Sequence, residues 1–473
     1  MVAAVLQSRT LVRAKAPLAP FANTSVPLSP MDVAVGRYSF PLLYIFAAPD
    51  APHEAFQHEK LRETLSDTLS VYPHLAGRVD PETDENRGTV NVRCNNAGAE
   101  FVPATCDGSL ADFAPSATDS GARVNSSDMA QLPTGLMPQS SNPQAPAREQ
   151  PLLIVQCTVF KCGGLAIALN INHRMLDGEG GFNFVEAWGA AYRGVSVPVP
   201  SHDRHLLFSR GGVATFPHAE YKNAASPPSP PFPDPIPKTK AKLFHFSAVE
   251  LGKLKSDALG MEKLETVEPA PYVSTIDVLT ALLVVLLSRA RKAAGVDFSS
   301  SSIHLNTGIN ARRRLVPELP GRYAGNAIFN ARSSHPATDV LDGQYPAAVA
   351  LAAHRIRKAV LQMTDAYLRS AVEYVAATEP DPSAVTLAVD YFFGKDFLMP
   401  SWANLGLLDP DFGSGQAVYA GPPNFSVADG FVVVLNSARW ARSEKGLSCY
   451  VSMEETAMTS FEEALGQWRT QIL

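Results

Sequence analysis

His173-Arg174-Met175-Leu176-Asp177, followed at once by Gly178, decides how the rest of this chain is read. These residues close a strongly apolar stretch, Leu152 to Ile171, which predicts a strand, a Gly163-Gly164 turn and a second strand. A histidine delivered to the mouth of a buried strand is placed to act as a base on a bound substrate. An aspartate four residues on can turn back and fix the local backbone and the imidazole. Gly178, Gly180 and Gly181 then allow a tight turn and close approach of a ligand to the backbone.

Spacing alone does not decide. The chain holds a second His-x-x-x-Asp, His335 to Asp339, in Ser333-Ser334-His335-Pro336-Ala337-Thr338-Asp339. Its Pro and polar neighbours predict a surface turn or a helix start. Context separates the two, since only His173 follows a buried strand and precedes a glycine cluster. A satisfied histidine at a strand end remains the competing reading of His173.

The bulk numbers narrow the field. At 473 residues the chain exceeds one ordinary core, so two domains are expected. Apolar residues make up 46% and charged residues 18%, values of a lightly charged globular protein. A net charge of −6 gives no electrostatic case for nucleic acid or an anionic membrane. Apolar runs such as Ala281 to Leu287 are too short to span a bilayer. Cys94, Cys106, Cys157, Cys162 and Cys449 have neither zinc spacing nor a disulfide framework, which fits a reducing compartment, so a cytoplasmic location is expected. Cys157 and Cys162 read as core residues of the apolar strands. No metal cluster is visible and no metal requirement is expected. Residues 1–31 contain no acid, a trait of transit peptides; a first strand, Ala4 to Val12, is the favoured reading.

Along the chain, Leu61, Leu65, Leu69 and Tyr72 recur at helical spacing and Pro73 ends that helix, with Leu75 to Val79 leading into a strand. Thr89 to Arg93 predicts a strand, Asn95 to Gly98 a turn, and residues 115–150 a long surface loop. Gly181 to Gly194 predicts a helix with Phe182, Val185, Trp188 and Tyr192 on its core face. Ser226 to Pro233 is a proline-rich extended linker. A second half begins near Lys242, with a strand there and a helix over Ala248 to Leu259. Helices Thr275 to Ala293 and Ala347 to Met363 follow, then late strands Phe431 to Leu435 and Ser448 to Met453, and a closing helix Thr456 to Leu473. Ile303 to Ile309 predicts one more strand. There is no P-loop and no dinucleotide fingerprint after a strand.

Taken together, these segments resemble the plant-type BAHD acyltransferases, and in particular the hydroxycinnamoyl transferase branch. The resemblance runs from about residue 5 to residue 470. Its blocks are Leu28 to Asp32, Leu61 to Val79 with Tyr72-Pro73-His74-Leu75-Ala76-Gly77-Arg78, Phe160 to Gly164, His173 to Gly178, Asp203 to Leu207, Asn310 to Arg314, Tyr323 to Asn326 and Asp411 to Gly415. It implies an α/β, chloramphenicol-acetyltransferase-like fold of two similar domains, each a mixed β-sheet flanked by helices. The expected division is an N-terminal domain over 1–200, a crossover linker over 201–241 and a C-terminal domain over 242–473.

The resemblance also implies an activity: transfer of an acyl group from acyl-CoA, a co-substrate rather than a bound cofactor, to a hydroxyl or amine of a small acceptor. His173 would be the general base and Trp402 a donor to the oxyanion. Asp177 would be structural and pair with an arginine, Arg312 first and Arg314 second; a solvated basic turn or a CoA-phosphate contact is the other reading of Arg312 to Arg314. Gly178, Asp411 and Gly413 would be structural at the site, although Ser414 stands where the family has Trp. Phe40, Leu42, Tyr44 and Asn404 would line the acceptor pocket. Shikimate- and quinate-using relatives place an arginine where this chain has Asn404, and small hydroxyl side chains where it has Phe40 and Leu42. An uncharged acceptor is therefore expected, along with a monomer in the cytoplasm that binds neither nucleic acid nor membrane. A carrier-protein-dependent, condensation-type enzyme and a non-catalytic acyl-CoA-binding pseudoenzyme remain the alternatives.

Overall fold

A computed structural model describes residues 3–36, 38–51, 54–80, 90–112, 126–140, 144–146, 148–196, 199–223, 233–260, 267–299, 302–378, 382–424, 429–437 and 446–472. Two seven-stranded mixed sheets organise these residues. The first runs Ala4–Leu6, Ala99–Cys106, Leu153–Phe160, Leu165–Asn172, Ser39–Phe46, Tyr419–Gly421, with Thr10–Val12 also pairing on Ala99–Cys106. The second runs Ile328–Pro336, Ser302–Asn310, Phe397–Leu398, Phe431–Asn436, Gly446–Glu454, Thr239–Ser247, Ser126–Asp128. Each sheet mixes parallel with antiparallel neighbours. Each also borrows one short strand from the other half of the chain: Tyr419–Gly421 pairs on Ser39–Phe46, and Ser126–Asp128 pairs on Thr239–Ser247.

The apolar stretch before His173 folds as the expected hairpin. Leu165 faces Val159 and Ile171 faces Leu153, around a turn in which Gly163 takes φ +83°. Leu165, Ile167, Leu169 and Ile171 are fully buried, and so are Ala166 and Ala168 between them. A strand covered on both faces reads as a continuous apolar run rather than an alternating one. Each of the larger side chains contributes roughly 2 kcal/mol of burial. The strand is thus held rigidly up to its last residue, from which His173 follows.

Three helices start on capping boxes that are legible in the sequence: Ser29 with Asp32, Ser247 with Glu250, and Ser274 with Asp277. The last opens the apolar helix Thr275–Ala293, whose Val278 to Leu287 are buried at the centre of the second core. The other core lies between the first sheet and the helices His58–Val71 and Gly178–Tyr192.

Several expectations change. Cys162, read as a core residue, is exposed in the hairpin turn, and the strand expected over Ala4 to Val12 is two, Ala4–Leu6 and Thr10–Val12. The helix after the His173 loop starts at Gly178, not Gly181, because Asp177 caps it by accepting from Gly180 N at 2.9 Å. The segment 115–150 is not all loop where it is described, since Ser126–Asp128 is a strand of the second sheet. His335 is not on a surface turn: it closes the strand Ile328–Pro336, fully buried, with Nε2 2.9 Å from Ser333 Oγ, and only the helix start after it agrees with the pattern. The run Ser226 to Phe232, and residues 115–125 and 141–143, lie outside the described residues. No described helix is long and apolar enough to cross a membrane.

Candidate active site

His173 continues the ladder one step past its strand, donating its N–H to Tyr38 O at 2.9 Å. Its half-buried ring lies between Tyr38, edge-on at 5.2 Å, and Phe40, tilted at 4.8 Å. The two aromatics stand on one face of the neighbouring strand segment because side chains two apart share a face. The imidazole Nδ1 is 3.2 Å from Asn326 Oδ1. Burial lowers the imidazole pKa below its ordinary value; its own carbonyl, Asp177, Asn326 and Asp32 oppose that shift without cancelling it. The ring is therefore neutral at pH 7 and able to accept a proton.

Asp177 engages Arg312 and two backbone amides. Its two oxygens receive Arg312 Nη1 and Nη2 at 2.8 Å each, together with Gly180 N and Ala327 N at 2.9 Å. Burial alone would push this carboxyl up, but the guanidinium and the two amides hold it below the usual range. Arg312 also donates to Tyr323 O at 3.0 Å and Gly325 O at 3.2 Å, so one side chain ties the His173 loop to residues 323–327. Arg314 instead donates to Val360 O and Met363 O, while Arg313 is exposed. The expected imidazole-fixing part of Asp177 thus falls to another residue, Asn326.

The glycines after Asp177 are helical, with none at positive φ, and they make room for side chains. A Cβ on Gly181 would come within 3.0 Å of Phe40 Cζ, and one on Gly178 within 3.6 Å of Trp402 Nε1. Trp402 is half-buried and stands edge-on to Phe182 at 5.5 Å, its backbone N–H bonded to Val434 O at 2.8 Å. Its indole N–H therefore sits beside the first residue of the helix that His173 precedes.

The other expected site residues are spread out. Leu42 and Tyr44 share the Phe40 face of Ser39–Phe46 but are fully buried in the core. Asn404, at φ +63°, lies in a cleft of about 490 Å³ together with Asp409, Gln416 and Asn436. Asp411 and Gly413 belong to the far end of the helix Gly178–Tyr192, about 16 Å along its axis at 1.5 Å per residue. There Asp411 accepts from Gly413 N, Gly415 N and Arg193, and its carbonyl packs onto Gly189. No group of three or more His, Cys, Asp or Glu that could hold a metal occurs among the described residues.

Three residues at the site had no role assigned from sequence: Asn326, Asp32 and Arg204. Asn326 Nδ2 donates to His173 O at 2.8 Å and to Asp32 Oδ1 at 3.0 Å, and Asp32 is paired with Arg204 at 2.6 Å. All three are buried. Their only signal was membership of the blocks Leu28 to Asp32, Asp203 to Leu207 and Tyr323 to Asn326.

Two mixed sheets that exchange edge strands match the chloramphenicol-acetyltransferase-like architecture that the resemblance implies. The comparisons agree. The model of the Transferase family matches residues 7–467. Hydroxycinnamoyltransferase 2 of Oryza sativa subsp. japonica is 31% identical, covering 92% of this chain and 94% of its own length. A hydroxycinnamoyl-CoA:5-hydroxyanthranilate N-hydroxycinnamoyltransferase of Avena sativa is 30% identical over the same shares. The crystal structure of F. sporotrichioides TRI101 complexed with coenzyme A and T-2 superposes with a TM-score of 0.70 at 18% identity, covering 93% of this chain and 97% of that one. The chain belongs to the Transferase family, the BAHD acyltransferases, and transfers acyl groups from acyl-CoA to hydroxyl or amine acceptors.

Proposed function

We propose that this protein moves a hydroxycinnamoyl-type acyl group from its CoA thioester to a small uncharged acceptor, with His173 as the general base. The neutral imidazole takes the proton from the acceptor O–H or N–H as that atom bonds to the thioester carbonyl carbon. The tetrahedral intermediate collapses, the C–S bond breaks, and the imidazolium returns its proton to the thiolate, releasing free CoA thiol. The Trp402 indole N–H is a donor for the oxyanion, worth roughly a few kcal/mol. Asp177, Gly178 and Arg312 hold the His173 loop, and Asp411 with Gly413 holds the loop at the other end of the helix. Phe40 and Asn404 are assigned to the acceptor side, while Leu42 and Tyr44, on the Phe40 face of the strand, lie in the core.

The observation that carries this reading is the half-buried His173 ring against Tyr38 and Phe40, one step past the end of a buried strand. The acyl group is inferred from the two plant relatives, both hydroxycinnamoyltransferases. An uncharged acceptor is inferred from Asn404 and Phe40, which offer no cation to a carboxylate. We further assign the division 1–200, 201–241 and 242–473, a monomeric state and a cytoplasmic location.

Free CoA thiol released from coumaroyl-, caffeoyl-, benzoyl-, malonyl- and acetyl-CoA, each with a panel of alcohols and amines, tests the proposal. Acceptor-dependent release that falls on the order of 10²–10⁴-fold in His173→Ala supports it. Release that survives in that variant overturns the base assignment, and preference for a carboxylate-bearing acceptor such as shikimate overturns the acceptor class.

A further inference from the structure

The carboxamide of Asn326 faces three groups whose chemistry is fixed. Its Nδ2 lies 2.8 Å from the carbonyl oxygen of His173 and 3.0 Å from Oδ1 of Asp32. Both partners are acceptors, a backbone carbonyl and a carboxylate that faces Arg204. Asp32 is fully buried, paired with Arg204 at 2.6 Å, and accepts from Ser29 N at 2.9 Å and Ser29 Oγ at 2.7 Å. The same Oδ1 also accepts Asn326 N at 2.8 Å. Turning the amide over would set its oxygen against a carbonyl and a carboxylate, all three acceptors and all buried, which is costly.

The amide therefore has one orientation, with Oδ1 toward His173 Nδ1 at 3.2 Å. An oxygen there accepts a hydrogen, so the neutral ring carries its proton on Nδ1 and its lone pair on Nε2. We infer that Asn326, held by Asp32 and Arg204, is a positioning residue that sets the tautomer and orientation of His173. This rests on His173 being the base, because a base needs its lone pair on the nitrogen that faces the acceptor.

The arrangement draws on four separate segments. Asp32 comes from the capping box of the short helix Pro30–Ala34, His173 from the end of a strand of the first sheet, and Asn326 from the residues before Ile328–Pro336. Arg204 comes from the connection between the halves and donates also to Met175 O at 2.8 Å, inside the His173 loop. Gly325 leaves the room for this crossing: a Cβ there would lie 2.9 Å from Arg204 Nη1 and 2.8 Å from Tyr323 Oη. The ring's own backbone carbonyl is also within its reach. Asn326 adds a buried amide acceptor at Nδ1 whose orientation is forced by a carboxylate on its far side.

The test uses the full-length protein with ¹⁵N-labelled histidine. The ring-nitrogen shifts assigned to His173, by their loss in His173→Ala, report its tautomer in wild type and in Asn326→Ala. We expect one tautomer, protonated at Nδ1, in wild type and a mixture in Asn326→Ala. The variant should lose on the order of 10- to 100-fold in kcat, with KM for acyl-CoA nearly unchanged. Asn326→Ser, a smaller perturbation, is the second variant should Asn326→Ala prove insoluble, with the same expected mixture. An unchanged tautomer in the folded variant, or a kcat equal to wild type, overturns the inference. If His173→Ala keeps its activity, the base assignment fails instead, so the two failures are told apart.

Discussion

Asp177 and Arg312 meet through two hydrogen bonds of 2.8 Å, one to each carboxylate oxygen. The pair is buried, so its value lies in fixing geometry more than in net stability. Removing one partner leaves the other charge stranded. Asp177→Asn keeps an oxygen to cap the helix but not the second acceptor for the guanidinium. We expect a loss of about 3–5 kcal/mol in unfolding free energy. Activity should follow the folded fraction, recovering toward wild type at low temperature. Urea unfolding and acyl transfer measured on the same samples decide it: an undiminished unfolding free energy with collapsed kcat would make Asp177 part of the chemistry.

Gly189 marks where the loop carrying Asp411 crosses the helix Gly178–Tyr192. An added Cβ would stand 2.4 Å from Asp411 O, a backbone atom that cannot swing aside. Gly189→Ala is expected to cost roughly 1–3 kcal/mol through overpacking and to loosen the Asp411–Arg193 pair. Gly466→Ala is the opposite case, since it lies inside the helix Glu455–Ile472 with open space around it. There the substitution should stabilise by about 0.5–1 kcal/mol, because alanine loses less entropy in a helix. Paired thermal melts check both signs, and destabilisation in both would argue against the packing described.

Ser370, His218 and Glu220 have contacts that could be mistaken for a nucleophile triad: Ser370 Oγ to His218 Nε2 at 2.9 Å, and His218 Nδ1 to Glu220 Oε1 at 2.9 Å. The serine oxygen also accepts Thr215 N at 2.8 Å and Phe216 N at 3.1 Å, and the side chains of the cluster are buried. Its lone pairs are taken, so it clamps residues 215–220 to the helix Asp365–Ala376. Ser370→Ala should cost about 1–3 kcal/mol, from donors left without a partner, and leave thiol release per folded molecule within twofold of wild type. A specific loss of turnover at full folding would contradict the clamp.

How much of this was legible in advance follows from what local sequence encodes. The hairpin before His173 and the helix Thr275–Ala293 were readable because their signals are local: a continuous apolar run, a glycine turn, a Ser-x-x-Asp cap. The Arg312 partnership came from family resemblance and not from spacing, since 135 residues separate it from Asp177. Ser126–Asp128 was hidden in a polar segment because its pairing is supplied by Thr239–Ser247, far along the chain. Asn326 and Asp32 were quoted only as parts of motifs. Their work depends on tertiary contacts 294 residues apart, which no periodicity reports. His335 was misplaced for the converse reason: polar neighbours and a proline suggest a surface, but the strand Ser302–Asn310 and the packed helices cover it.

That burial of His335 has a measurable consequence in pH. Its pKa is lowered to about 3 by burial, with Arg355 and His304 adding to the effect, and burial likewise lowers His202 to about 4. In the unfolded chain both rings titrate near 6.5. Below about 6.5 the unfolded state therefore takes up protons that the folded state refuses, and stability falls as pH falls. For His202 the decline ends near pH 4 and for His335 near pH 3, where the folded ring charges too. For His335 the full effect is on the order of a few kcal/mol. Replacing His335 by Gln removes one of these protons. Urea unfolding at fixed pH values between 4 and 6 should then show a dependence of unfolding free energy on pH shallower by close to one proton than in wild type. If the two slopes coincide, His335 is already charged in the folded protein and its burial as a neutral ring is wrong.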